Sequence, residues 1–301
     1  MSISFCMGNG VSTFTLSHPT SLQPMTYSDL VNAWIQELNI YPSSEAETLV
    51  NWLLEHHLGL RRVDMVRFFE KDTLPSGLIH DFERLKLGEP IQYILGHGPF
   101  YGREFEVTQE TLIPRNETEE LVHLIIKENP GIGNKILDIG TGTGCIPITL
   151  FLEMKEAKVY GLDVSERALE VARRNAKKLH AVVNFLNCDI LSDHPAISEL
   201  DVLVSNPPYV PQKDQSEMHR NVVDFEPHLA LFVPDEDPLI FYRVIGEKGK
   251  SLLKKGGRLY FEIYEKAAKE IKELLEKQGY DRVTVHSDLN GKERMITATW
   301  N

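Results

Sequence analysis

Apolar residues recur at helical spacing through the first third of the chain and at strand spacing through much of the rest. Leu30, Val31, Trp34, Ile35 and Leu38 make one stripe, Leu49, Val50, Leu53 and Leu54 a second, and Leu78, Phe82 and Leu85 a third. Residues 25–95 therefore predict a small helical domain. Pro42 and Gly59 punctuate its ends, and Ser43 and Ser44 ahead of Glu45 read as an N-cap followed by an acidic first turn. Residues 96–112 carry Gly96, Gly98, Gly102 and the alternating pair Phe105 and Val107, the pattern of a linking β-hairpin. A helix follows over 117–127 on Leu121, Val122 and Ile125, and then short apolar runs alternate with helical patterns. The runs 135–139, 158–162, 182–186, 202–205, 258–263, 282–286 and 294–299 predict seven strands. Alternation of this kind builds an α/β domain, here residues 113–301, with a mostly parallel Rossmann-like sheet covered on both faces. Residues 1–24 are rich in Ser, Thr, Gly and Pro without an apolar period and read as a loose N-terminal extension.

Charge narrows the partners. Thirty-two basic against 44 acidic residues give a net charge of −12, so a phosphate backbone is repelled and no DNA binding is expected. No stretch approaches the roughly 18 uninterrupted apolar residues of a membrane span, and the first residues lack the basic start and apolar block of a secretion signal. Cys6, Cys145 and Cys188 are scattered without a CxxC pair, which gives no disulfide framework or cysteine zinc site and fits a reducing cytoplasm. His97, His219 and His228 do not form a metal pattern, so no metal is expected, and the basic run 248–258 reads as solvated surface. A monomer is expected.

The first candidate chemistry lies in Ile136-Leu137-Asp138-Ile139-Gly140-Thr141-Gly142-Thr143-Gly144, an apolar strand running into a glycine turn ahead of a helix. Such a turn lets the backbone approach a ligand and leaves bare N–H groups at a helix N-terminus. The spacing is G-x-G-x-G: a dinucleotide fingerprint would need its third glycine at Cys145, and a phosphate loop would need Gly-Lys-Ser/Thr. Asp163 follows the second strand and can accept both hydroxyls of a ribose. Asp189, after the third, can accept from an exocyclic amine, with Ile190 and Leu191 as apolar cover for a flat base. Three acidic strand ends at Asp138, Asp163 and Asp189 suit a nucleoside bearing a positive sulfonium better than a phosphate, which favours S-adenosylmethionine over NAD, with S-adenosylhomocysteine as product.

The second candidate is Ser205-Asn206-Pro207-Pro208-Tyr209 after the fourth strand. Consecutive prolines remove backbone donors and stiffen the chain, so the bend can aim oxygen atoms at a ligand. A planar NH2 group presents two N–H bonds, which the Asn206 side-chain oxygen and the Pro207 carbonyl can accept while Tyr209 packs on the flat face. Held so, the nitrogen lone pair turns toward an electrophilic methyl carbon.

From about Gly88 to Trp300 the chain resembles the HemK/PrmC family, methyltransferases that modify the glutamine of the Gly-Gly-Gln motif in class 1 peptide chain release factors. The segments that carry the likeness are GEPIQYILG (88–96), TLIPRNETEELV (111–122), ILDIGTGTGCI (136–146), LDVSERAL (162–169), SNPPYV (205–210) and FEPHLAL (225–231). The resemblance implies a class I S-adenosylmethionine-dependent methyltransferase domain behind a helical domain that docks the release factor. It implies cofactor contacts at Gly140, Thr141, Gly142, Thr143, Gly144, Asp163, Leu191 and Asn206, and substrate contacts from Asn206 through Pro207 and Pro208 to Tyr209. Asn116 stands where the family usually has proline, and as an N-cap it can start the next helix; Leu191 stands where an aromatic is common. Arg115 can orient the cofactor side of the cleft or pair with an acid of the following helix, and Glu226 with Pro227 lies in a segment expected to wall the site. Three other functions stay open on sequence: adenine N6 methylation of nucleic acid, which would use the same bend, glutamine methylation of a ribosomal protein, and a non-catalytic cofactor-binding module.

Overall fold

The computed structural model describes residues 26–61, 63–64 and 74–301; the expected extension over 1–24 and Cys6 lie outside the described residues. The chain divides into two compact units that part between Phe82 and Glu83. In the first, helices α1 (Tyr27–Glu37), α2 (Ser43–Leu58) and α3 (Ser76–Lys86), which runs across the division, realise the three apolar stripes. Val50, Leu53, Leu54 and Leu78 are fully buried, and Trp34 stacks on Phe82 with ring centroids 4.0 Å apart. Thr26 caps α1 through a reciprocal bond with Asp29. At α2 the expectation fails: the N-cap is Pro42, without a side-chain bond, and Ser43 and Ser44 are already helical. Proline's fixed φ starts that helix without a hydroxyl.

In the second unit a five-residue helix α4 (Ile91–Leu95) leads into the hairpin of β1 (His97–Phe100) and β2 (Arg103–Glu106). Its turn, Tyr101-Gly102, has φ of 49° and 71°, the two-residue geometry that matches strand twist. Helix α5 (Asn116–Glu128) begins after Arg115, which is the N-cap; Asn116 is its first helical residue and not its cap.

The seven expected strands then follow: β3 (Lys135–Ile139), β4 (Lys158–Asp163), β5 (Val183–Asn187), β6 (Leu200–Ser205), β9 (Leu253–Glu262), β10 (Asp281–Ser287) and β11 (Glu293–Trp300). A two-stranded ribbon of β7 (Val210–Pro211) and β8 (Phe232–Val233) branches off between β6 and β9. Strand order is β10-β11-β9-β6-β3-β4-β5, parallel from β9 to β5 and antiparallel through β11. Helices α6 (Cys145–Glu153), α7 (Glu166–Lys178), α9 (Ile240–Leu252) and α10 (Ala268–Lys277) complete the strand–helix alternation, and a short helix α8 (Arg220–Phe225) lies between β7 and β8. Alternate residues of each central strand enter opposite layers. Ile136, Val202, Val204 and Tyr260 pack with Leu121 and Ile125 of α5 and Ile148 of α6, whereas Leu137, Ile139, Leu203 and Phe261 pack with Tyr242 of α9 and Ile271 of α10.

This order positions the site. The chain leaves β3 for β4 and β5 on one side, then returns to β6 on the other, so the direction of winding reverses at β3. A crevice opens outside the carboxyl ends of strands at such a point, here between Gly140 after β3 and Asn206 after β6.

Candidate active site

The glycine turn is knitted to β4. Gly140 and Thr141 donate to the Leu162 carbonyl at 2.8 and 2.9 Å, Gly144 donates to Thr141 O at 2.8 Å, and Gly142 donates to Asp163 Oδ2 at 2.9 Å. The bare donors expected of this turn are thus used internally at these four residues, and what it offers a ligand is closeness. Gly140 and Gly144 hold φ of +75° and +79°, and a side chain at Gly144 would meet Ile148 at 2.9 Å and Ala172 at 3.1 Å, so the turn also fixes the approach of α6 to α7. Asn175 of α7, fully buried, donates to Thr143 O and binds the Glu106 backbone in both directions.

A cavity of about 420 Å³ lies over this turn, with Gly140, Gly142, Asp163, Asp189, Leu191, Asn206, Pro207 and Pro208 in its wall. Asp163 Oδ1 accepts from Ser165 N and Oδ2 from Gly142 N, both at 2.9 Å, which leaves each oxygen a lone pair for a further donor. Burial pushes its carboxyl up while these backbone bonds pull it down. The Asp189 carboxylate ties its own loop, accepting from Leu191 N at 2.9 Å, and Ile190, Leu191, Ala168 and Phe241 give this part of the wall apolar surface. Lys248, expected in solvated surface, instead donates to the Ile190 carbonyl at 2.6 Å and to the Asp193 carbonyl, holding that loop: its long stem reaches carbonyls left free after β5. The cavity therefore fits a nucleoside, with a carboxylate for vicinal hydroxyls, apolar cover for a base and an acidic wall for a positive charge.

Asp138, Thr141 and Thr143 lie beneath the turn, at most 4% exposed, and together with Gly144 stand outside the cavity wall. Burial raises the Asp138 carboxyl to about 7, opposed by the Thr141 hydroxyl and reinforced by Asp163.

The Asn-Pro-Pro-Tyr bend forms the opposite wall. Ser205 Oγ donates to the Ile139 carbonyl at 2.7 Å, and a Cβ on Gly140 would stand 3.9 Å from the Asn206 carbonyl, so bend and turn touch along their backbones. Asn206 also lines a second cavity of about 240 Å³, with Leu112, Arg115, Tyr209, Met218 and Glu262. Asn206 Nδ2 donates to Thr118 Oγ1 at 3.2 Å, and Thr118 Oγ1 donates to Glu262 Oε2 at 2.6 Å. Tyr209 stacks on Tyr264 at 6.0 Å and 12°, with its hydroxyl 3.5 Å from Glu262 Oε1. Burial lifts the Glu262 carboxyl to about 7, against the bond from Thr118, and pushes the Tyr209 hydroxyl up. Arg115 pairs with Glu226, which also accepts from Ile113 N at 3.2 Å, so the segment after Tyr209 is pinned to the start of α5. Sequence reading left Glu262 and Thr118 unmarked; an acid inside the apolar run 259–263 was the available signal for the first.

Comparison with known proteins bears on the family and the fold. A family model described as a methyltransferase domain matches residues 132–295, and one described as the PrmC N-terminal domain matches residues 29–96, extending the likeness into the helical unit. The chain is 45% identical over 276 residues to a release factor glutamine methyltransferase of Bacteroides thetaiotaomicron, covering 89% of this chain and 98% of the relative. It is 34% identical over 292 residues to one of Leptospira interrogans, covering 94% and 100%. Among solved structures, a methyltransferase from Pyrococcus furiosus superposes with a TM-score of 0.50 at 19% identity, covering 74% of this chain and 96% of that one, a likeness of fold.

Proposed function

Because the chain belongs to the release factor glutamine methyltransferase family, we propose that it transfers a methyl group from S-adenosylmethionine to the side-chain amide nitrogen of the Gly-Gly-Gln glutamine in class 1 release factors. The observation that carries this reading is the place of Asn206, in the wall of both cavities and beside the glycine turn. Asp163 would hold the cofactor's ribose hydroxyls, Leu191 and Ile190 its base, and Gly140 to Gly144 would let its chain pass close to the backbone; Asp138 would act from beneath. When bound, the cofactor supplies a methyl group on a positive sulfur, already a strong electrophile. The protein's part is therefore alignment and electrostatics.

The glutamine amide would enter through the smaller cavity and reach Asn206 where the two cavities meet, next to Pro207 and Pro208 of the larger one. The Asn206 side-chain oxygen and the Pro207 carbonyl would accept its two N–H bonds, and Pro208 and Tyr209 would pack against its plane. An amide nitrogen is a poor nucleophile because its lone pair is delocalised. Two acceptors on its hydrogens would draw electron density back to nitrogen and fix its direction; the C–N bond would replace the C–S bond of the cofactor, leaving S-adenosylhomocysteine, and one N–H proton would pass to water. Residues 25–95 would dock the release factor, 96–112 would link, and 113–301 would carry the reaction. The enzyme would work in the cytoplasm, since its acceptor acts in translation, and as a monomer.

The test is incubation with methyl-labelled S-adenosylmethionine and separate acceptors: a release factor, its Gln→Ala variant, ribosomal proteins and DNA. Label is expected on the unmutated release factor alone, with the release factor protecting amides of residues 26–61 from hydrogen exchange. Label on DNA, or equal label on the Gln→Ala variant, would overturn the assignment; unprotected helices would overturn the docking role.

A further inference from the structure

Asn206 can act as proposed only if its amide presents oxygen to the acceptor. The two ends of an Asn side chain have nearly the same shape, so the choice rests on what holds the other end. Here that is Thr118 Oγ1, at 3.2 Å, in the first turn of α5, and behind it Glu262 Oε2, at 2.6 Å, at the end of β9. Thr118 and Glu262 are 3% and 2% exposed, so the bond between them is shielded from bulk water. An ionised carboxylate only accepts. Above about pH 7, where Glu262 is ionised, the Thr118 proton is therefore committed to Glu262, and the hydroxyl oxygen is left only lone pairs to offer Asn206. The Asn206 atom facing it must be the NH2 nitrogen, and Oδ1 is turned away from Thr118.

We propose that Glu262 and Thr118 are positioning residues that set the polarity of the Asn206 amide, so that its oxygen and not its NH2 meets the NH2 of the acceptor glutamine. The inference rests on the function proposed above. A reversed amide would set donors against donors, leave one acceptor N–H without a partner, and release the nitrogen from alignment.

Thr118→Val removes the hydroxyl at nearly constant volume. At about pH 8.5, where a carboxyl such as Glu262 is ionised, it should lower kcat roughly 100-fold while the dissociation constant for S-adenosylmethionine stays within about twofold. Thr118→Ser restores the hydroxyl and should recover most of kcat. Glu262→Gln, which can donate to Thr118 and so reverse the chain of bonds, should lower kcat about tenfold with the same unchanged cofactor affinity. Side-chain amide NMR reads the orientation without turnover: one Asn206 Nδ2 proton should be protected from exchange in the parent protein and in Thr118→Ser, and exposed in Thr118→Val. The inference is overturned by a Thr118→Val enzyme with parental kcat, by a Thr118→Ser enzyme as slow as the Val variant at unchanged melting temperature, or by an unprotected Asn206 amide in the parent. A parent protein that protects this amide yet leaves release factor unmethylated would remove the proposed function and leave the orientation standing.

Discussion

The two walls of the crevice are built by different means. The glycine-turn part of the cofactor wall is made within 26 consecutive residues, Gly140 to Ser165, and its key bond, Gly142 N to Asp163 Oδ2, spans 21 positions. It is mostly backbone, held by a turn that only glycine takes easily. The acceptor wall is made of side chains from distant segments: Asn206 to Thr118 spans 88 positions, Thr118 to Glu262 144, and Arg115 to Glu226 111. A nucleoside cofactor is shared by many reactions, and a local backbone cradle is enough to bind it. Alignment of one amide nitrogen needs rigid side chains braced from behind, and bracing comes from the rest of the fold.

If the division holds, changes in the acceptor wall should affect kcat and changes in the cofactor wall should affect cofactor affinity. The largest effect is expected at Asn206. Asn206→Ala should lower kcat roughly 1,000-fold, about 4 kcal/mol, by removing one of two acceptors and the geometry it imposes. S-adenosylmethionine binding, measured by calorimetry, should change less than about threefold, near 0.6 kcal/mol. A comparable loss in both quantities would show that the walls are one unit.

The same division explains what was legible in the sequence. The glycine turn, Asp163 and the seven strands could be read because each is encoded by neighbours: an apolar run, a turn residue, an acid at the strand end. The Asn-Pro-Pro-Tyr bend was legible for the same reason. Thr118 and Glu262 were not, because a threonine in Asn-Glu-Thr-Glu is an ordinary first-turn residue until β9 places a carboxylate 2.6 Å from it. Lys248 was misread as solvated for the complementary reason, since the carbonyls of Ile190 and Asp193 that it binds lie 58 and 55 positions away. Three of the N–H groups expected bare at the glycine turn, those of Gly140, Thr141 and Gly142, pair with β4, a pairing that local spacing does not reveal, and Gly144 N turns back on Thr141.

Each wall also hides one acid at the end of a central strand, and these should be separable by pH. Asp138 titrates near 7 in the folded chain against 3.8 as its ordinary value. Between those values the unfolded chain has lost the proton and the folded chain keeps it, so stability falls as pH rises from about 4 to 7 and levels off above. The fall attributable to this one group is on the order of 3 kcal/mol. Asp138→Asn should flatten that part of the profile, read as the denaturation midpoint from about pH 4 to 8. Glu262, at about 7 against 4.5, contributes a slope of the same sign that survives in Asp138→Asn and is removed in Glu262→Gln. An Asp138→Asn protein whose stability falls over this range as steeply as the parent's would show that Asp138 is ionised when folded.

The smallest effect is expected at Asp163, and it is the sharpest test of independence between the walls. Its two oxygens each accept one backbone N–H at 2.9 Å. Asparagine keeps one of those acceptors and sets an NH2 against the other donor, while the charge and one site for a ribose hydroxyl are lost. Affinity for S-adenosylmethionine should weaken about tenfold, near 1.4 kcal/mol, because hydrogen bonds to a charged acceptor are the stronger kind. At saturating cofactor kcat should stay within about twofold, since nothing on the acceptor wall has changed and the lost contact is equally absent before and during transfer. A kcat that falls as far as the affinity would mean that Asp163 also sets the position of the methyl carbon relative to Asn206, which would tie the cofactor wall to alignment and end the separation of roles.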